Sequence, residues 1–416
     1  MNNELSKAKI VYEEEKIRYN DFKKSNLKLD MSRGKPNGLQ LDLSNELFKS
    51  FEDKNNFFGI QDYRNYGILD GIPEAKEMFS KLSGVSEKEI IIMGNSSLNI
   101  MYDTVQRSMQ FGVLGGKPFN KQGDIKWLCP VPGYDRHFSV TELFGIEMIN
   151  IPMTENGPDM DMVEEYVKDE RVKGIWCVPK YSNPQGYVYS DETVERFAKL
   201  KPAAKDFRIY WDNAYMAHYI SEDIELKNIF SEAKKYGNED MVYMFGSTSK
   251  ITFPGSGVAW ICASEKNIYD IKKYLSIQTI GFDKINQLAH VKLFKDIDGL
   301  KEQMKKHALI LKPKFDAVIE IFRKELSGLC KWSEPKGGYF ISCDLPDGTA
   351  KRAVQLAKEA GVIMTAAGAT FPYKNDPCDK NVRIAPSYPS LEELRVGMEV
   401  FCCCVKLAWA EKVLNA

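Results

Sequence analysis

Several features are scarce in this 416-residue chain. No apolar run approaches the roughly 20 residues of a membrane-spanning helix, and the opening residues hold no apolar signal core. Together these set the expectation of a cytoplasmic protein with no membrane partner. A basic excess is also missing. The 57 Lys and Arg nearly cancel the 58 Asp and Glu, leaving a formal charge of −1. The basic residues fall singly or in short pairs such as Lys305-Lys306, so no nucleic-acid partner is expected. The nine cysteines include no C-x-x-C pair with a second at zinc spacing. An odd count of thiols, several in apolar runs, fits a reducing compartment and gives no metal site. There is no internal repeat and no low-complexity tract. What remains is 44% hydrophobic and 28% charged, enough to fill the core of two domains, or of one large domain with a smaller companion.

Residues 4–24 repeat apolar positions at helical spacing, and a polar connector with Gly and Pro follows at 31–38. A helix is expected from Glu74 to Leu82, with Pro73 suited to its first turn. From residue 89 short apolar runs are mostly separated by helical stretches, at 89–93, 126–129, 147–151, 174–178, 208–211, 241–245 and 257–263. Such runs predict an α/β fold with a mostly parallel, seven-stranded sheet covered on both faces. After residue 264 the pattern turns helical. Short strands at 339–343 and 382–385, a helix at 349–360 and a final helix at 391–414 then predict a second, smaller α+β domain.

In a parallel sheet, ligands sit beyond the carboxyl ends of the strands. The residues there are unusual as a set. Gly246-Ser247-Thr248-Ser249-Lys250 presents one lysine after a strand, where desolvation lowers an ammonium pKa and favours Schiff-base chemistry. Gly94-Asn95-Ser96-Ser97 places hydroxyls at a helix start, suited to a phosphate or to an ordinary cap. Gly133-Tyr134 offers a ring for stacking or for the core. Asn183-Pro184-Gln185-Gly186 is a turn whose amide can also bind a ligand oxygen. Asp212-Asn213-Ala214-Tyr215 ends a strand with a carboxylate and, three positions on, a phenol. Arg383 lies within a short apolar strand, where it needs a carboxylate partner from a ligand or from the protein itself.

Two other readings fail on the residues. Ser247-x-x-Lys250 fits the S-x-x-K of serine acyl-enzymes, but the Y-x-N-like Tyr181-Ser182-Asn183 precedes it instead of following. Gly255-Ser256-Gly257 lacks the third glycine of a dinucleotide fingerprint.

Taken in order, these segments resemble the fold-type I pyridoxal-phosphate-dependent aminotransferases across nearly the whole chain. The likeness is greatest to the aspartate aminotransferase subgroup related to MocR-like proteins. Ser32-Arg33-Gly34-Lys35-Pro36, residues 130–138, Asn183–Gly186, Asp212–Tyr215, Ser247–Lys250 and residues 281–287 carry it. The resemblance implies a PLP-dependent transferase fold with an N-terminal segment (1–50) packing with the small domain, a large cofactor-binding domain (51–300) and a small C-terminal domain (301–416). It implies pyridoxal 5'-phosphate as cofactor, amino-acid and 2-oxo-acid substrates, and a homodimer with shared active sites. The reaction implied is transfer of an amino group, from L-aspartate in the first instance, to 2-oxoglutarate in ping-pong half-reactions. A β-lyase, a decarboxylase or an aminotransferase for another amino acid uses the same ring-binding residues.

By resemblance, Lys250 would carry the internal aldimine and move the α-proton, and Asp212 would pair with the pyridine nitrogen. Tyr215 and Asn183 would bind the ring oxygen, and Tyr134 would stack on the ring. Ser96, Ser97, Ser247 and Ser249 would hold the phosphate, with Ser256 a further helper and Tyr66 reaching the neighbouring subunit's phosphate. Arg383 and Asn183 would bind the substrate. Two departures stand out. The family's phosphate-binding arginine eight residues after the lysine is absent, since Val258 stands there. The loop at 276–286 holds Lys284 but no arginine for the distal carboxylate, which leaves Lys284, Arg33, Lys35 and Arg136 open for that role.

Overall fold

The computed structural model describes residues 2–415. Its strands are β1 (Leu29–Asp30), β2 (Ile90–Ile92), β3 (Lys126–Val131), β4 (Glu147–Thr154), β5 (Gly157–Pro158), β6 (Val172–Cys177) and β7 (Arg208–Asp212). They continue with β8 (Val242–Ser247), β9 (Ala259–Cys262), β10 (Lys331–Trp332), β11 (Ile341–Asp344), β12 (Val362–Ile363) and β13 (Asn381–Ile384). The central sheet has the order β2-β9-β8-β7-β6-β3-β4-β5. Its middle, from β8 through β4, is parallel, while β2, β9 and β5 pair antiparallel.

All seven expected strands of this sheet are present, with their ends shifted by a few residues. The sheet nevertheless has eight strands, not seven. The extra one, β5, is two residues at the edge, where Thr154 pairs with Gly157, and is too short to carry a hydrophobic pattern. Strands β6, β7 and β8 are buried at every position. Helices cover both faces, as such continuous apolar runs require. Gly246 is needed where β8 passes Trp260 of β9, since a Cβ there would lie 2.4 Å from the indole ring.

A three-stranded antiparallel sheet, β10-β11-β13, forms the second layer system with the helices Ile297–Glu325, Ala350–Glu359 and Leu391–Leu414. The Leu391–Leu414 helix starts with a capping box between Ser390 and Glu393. The N-terminal helix Asn2–Lys24 packs along it, burying Ala8 and Tyr19, and Lys406 bridges Glu15 at 3.0 Å and Glu325 at 2.6 Å. The following β1 pairs in parallel with β12, which leads residues 32–34 to the edge of the central cavity. No helix among the described residues is long and apolar enough to cross a membrane.

Candidate active site

The carboxyl ends of β3, β6, β7 and β8 face a cavity of about 820 Å³. Lys250 lies three residues beyond β8, in a turn bolted from several sides. Thr248 donates its amide to Val258 O at 2.8 Å and accepts the Val258 amide on its hydroxyl at 2.9 Å. His307 Nε2 contacts Ile251 O at 2.9 Å, and the Tyr339 hydroxyl donates to Lys250 O at 3.3 Å. The lysine side chain is aimed by backbone that has little room to move. Its Nζ lies 5.0 Å from the centre of the Tyr215 ring. Burial lowers its pKa below the usual lysine value; Asp212 opposes that shift and Arg383 adds to it.

Asp212, the last residue of β7, is buried. One carboxylate oxygen, Oδ2, is 3.0 Å from His137 Nε2, while Oδ1 is buried without a partner. An unpaired buried acceptor is costly in a finished structure, so this oxygen marks a place for a ligand donor. His137 is itself fixed: its ring stacks on Trp176 at 4.5 Å and meets the edge of Tyr134 at 4.9 Å. Trp176 Nε1 in turn donates to Thr141 Oγ1 at 2.8 Å.

Ser96 is the N-cap of the helix Ser97–Phe111, accepting from the Asn99 amide at 3.4 Å. Ser96, Ser97, Ser247 and Ser249 all line the cavity, giving hydroxyls beside free helix N–H groups and the positive end of the helix dipole. The position eight residues after Lys250 is Val258, 1% exposed and part of the core, so no arginine side chain reaches the cavity from there.

Across the cavity, Arg383 of β13 is buried. Its Nη1 donates to Asp135 Oδ1 at 2.7 Å and to Asn183 Oδ1 at 3.3 Å, and its Nε has no partner. The guanidinium lies 4.8 Å from the centre of the Phe340 ring. Of the protein and ligand partners left as alternatives by the sequence, the structure holds the protein one, Asp135.

The cavity brings together Ser96, Ser97, Tyr134, Asn183, Asp212, Tyr215, Ser247, Ser249, Lys250 and Arg383, and also Arg33 and Arg136 at its rim. Four expected residues line no part of it. Tyr66 is 78% exposed, and Lys284 is buried in the first turn of the helix Lys284–Phe294. Lys35 places its ammonium 3.9 Å over the Tyr388 ring, and the Ser256 hydroxyl donates to Asn286 Oδ1 at 3.4 Å. Three site residues escaped the sequence reading: His137, Asp135 and Lys374. The first is three positions after Tyr134, a helical spacing that puts both on one face. Lys374 sits in an irregular segment and left no pattern to find.

This chain matches the family model described as aspartate amino-transferase over residues 4–416. An aspartate aminotransferase of Corynebacterium glutamicum is 44% identical over 412 residues, covering 98% of this chain and 95% of that one. The crystal structure of an aspartate transaminase from C. glutamicum has a TM-score of 0.95 at 44% identity, over 98% and 97% of the two chains. A more distant likeness, of fold alone, is to the α-aminoadipate aminotransferase LysN of Thermus thermophilus, solved with N-(5'-phosphopyridoxyl)-L-leucine. Its TM-score is 0.74 at 21% identity over 93% of each chain. With a half-buried lysine, an unpaired aspartate oxygen and a buried arginine gathered around one cavity, this chain belongs to the aspartate aminotransferase family and is an aminotransferase.

Proposed function

We propose that the enzyme uses pyridoxal 5'-phosphate to move the amino group of L-aspartate to 2-oxoglutarate. The observation that carries the cofactor is the partnerless Oδ1 of buried Asp212, a place suited to a protonated ring nitrogen. The donor set around it fits the rest of the group. Hydroxyls and helix N–H groups at Ser96 and Ser97, with Ser247 and Ser249, suit a phosphate. The Tyr134 ring suits a planar heterocycle, and Tyr215 and Asn183 suit its ring oxygen. When bound, the cofactor supplies the electron sink that lets an amino-acid α-proton leave.

The chain's own residues do the remainder. Lys250, with its pKa lowered by burial, holds and returns the α-proton at Nζ. Arg383 grips the substrate α-carboxylate. His137 orients Asp212 by occupying Oδ2. Arg33, Arg136 and Lys374 line the cavity, and none has a carboxylate within ion-pair distance among the described residues. These three free cations support a dicarboxylic donor and acceptor. We assign residues 51–300 to cofactor binding, residues 301–416 to the smaller domain and residues 1–50 to a segment packed on it. Tyr66, exposed and outside the cavity of its own chain, is assigned to the second active site of a homodimer. Incubation with L-aspartate and 2-oxoglutarate tests the reaction by yielding glutamate and oxaloacetate. Release of alanine, pyruvate or ammonia without glutamate overturns it.

A further inference from the structure

Arg383 and Asp135 are unequal partners. The arginine side chain is 8% exposed and the aspartate 33%. Breaking an ion pair is costly for a charge that stays enclosed without a partner, and cheap for one that water can reach. Here one is enclosed and the other is open to solvent. Asp135 also occupies the first turn of the helix Asp135–Leu143, where the helix dipole favours a negative charge whether or not it has a partner. Arg136, which follows it, is exposed and has no carboxylate within ion-pair distance among the described residues. The carboxylate can therefore leave Arg383 at little cost, while Arg383 cannot be left alone.

The hydrogen-bond count points the same way. Both protons of Arg383 Nη1 are taken, one by Asp135 Oδ1 at 2.7 Å and one by Asn183 Oδ1 at 3.3 Å. Nε is enclosed beside Phe340 and has no partner. A carboxylate entering from the cavity to take two parallel bonds from the outer end of the guanidinium needs a proton on Nη1. The carboxylate already there must give it up.

We propose that Asp135 is an internal stand-in for the substrate α-carboxylate: it satisfies Arg383 before substrate binds and is displaced when substrate binds. This rests on the assignment of Arg383 to the substrate carboxylate. Displacement lowers apparent affinity by the fraction of molecules in which Arg383 is free. It also means that a lone small anion, with a single weak contact, does not capture the arginine, whereas a substrate held elsewhere in the cavity does.

The test is binding of succinate, a dicarboxylate with no amino group to react, to the holoenzyme by titration calorimetry. Asp135→Asn is expected to bind succinate about tenfold more tightly than the parent, and to lower KM for aspartate and 2-oxoglutarate together without raising kcat. Asp135→Ser, which also removes the charge, should do the same if the asparagine variant folds poorly. Equal or weaker succinate binding in variants with parent-like circular dichroism overturns the proposal, since it makes Asp135 a fixed support that orients Arg383. Arg383→Ala separates the two claims. Loss of succinate binding in that variant supports the arginine assignment, and retained binding overturns it independently of Asp135.

Discussion

His137 Nε2 and Asp212 Oδ2 lie 3.0 Å apart in a buried contact that leaves the second carboxylate oxygen free for a ligand. The histidine is clamped between Trp176 and Tyr134, so it fixes where that free oxygen points. His137→Asn is expected to lower kcat/KM by about tenfold to a hundredfold, the usual effect of losing an outer partner that orients a binding group. Asp212→Ala should be more damaging, because it removes the charge itself. Steady-state kinetics at saturating and limiting cofactor separate weaker cofactor binding from slower turnover. Unchanged kinetics for His137→Asn would make its contact with Asp212 incidental.

Lys250→Met is expected to abolish measurable transamination, with the proton-transfer role alone accounting for about 10²–10⁴-fold. It should also stabilise the cofactor-free protein. The folded-state pKa of Lys250 lies below the ordinary value, so burying its charge costs stability fully at pH below the folded value. The cost fades as pH rises towards the ordinary value near 10.5. Thermal melts of cofactor-free protein should show the variant melting higher at pH 7, with the gap closing towards pH 10. A lower melting temperature for the variant would contradict the desolvation argument.

Two buried histidines stand behind the lysine turn. His290 contacts Thr252 Oγ1 and Asn286 O, each at 2.8 Å, and His307 contacts Ile251 O and the Gln40 side chain. Burial pushes both pKa values down to about 4. The unfolded chain, with histidines near 6.5, binds more protons between those values. Their contribution to stability is thus complete above pH 6.5 and lost as pH falls towards 4, with an upper bound of about 3 kcal/mol each. Urea midpoints at pH 7, 5.5 and 4.5 should fall steeply for the parent and less steeply for His307→Gln. Parallel slopes would exclude His307 as a source.

The cations Arg33, Arg136 and Lys374 line the cavity without ion-pair partners among the described residues. Replacing the one that binds the distal carboxylate by Met should reduce kcat/KM for aspartate by roughly tenfold or more and leave that for alanine nearly unchanged. Assays of the three single variants with both donors identify it. A uniform loss on both donors in every variant would point to structural damage instead.

Gly246→Ala drives a Cβ to 2.4 Å from the Trp260 ring. The expected cost of such overpacking is about 1–3 kcal/mol, read as a lower denaturation midpoint with little change in KM.

Much of the site was legible because a parallel sheet concentrates binding groups at strand ends. Asp212 closes β7, Lys250 follows β8, and Asn183 follows β6; each needs only a short apolar run and the polar residues after it. Residues whose role depends on a distant partner were not legible. Asp135 is an ordinary first-turn carboxylate until β13, 248 residues away, brings Arg383 to it. Tyr373 and Lys374 adopt left-handed backbone, with φ of 55° and 56°, which no local preference predicts. The edge strand β5 and the β1–β12 pair escaped for a different reason: two residues are too few for periodicity.

The pairing of β1 with β12 has a bearing on synthesis. Ser32 at the cavity wall accepts a hydrogen bond from the Thr365 side chain across 333 residues of sequence. Until residues beyond 362 have emerged, the segment bearing Arg33 has no strand to dock on, however early the central sheet closes. The cavity is therefore completed only once residues beyond 362 are present, since they supply both the strand on which residues 32–34 dock and Arg383 itself.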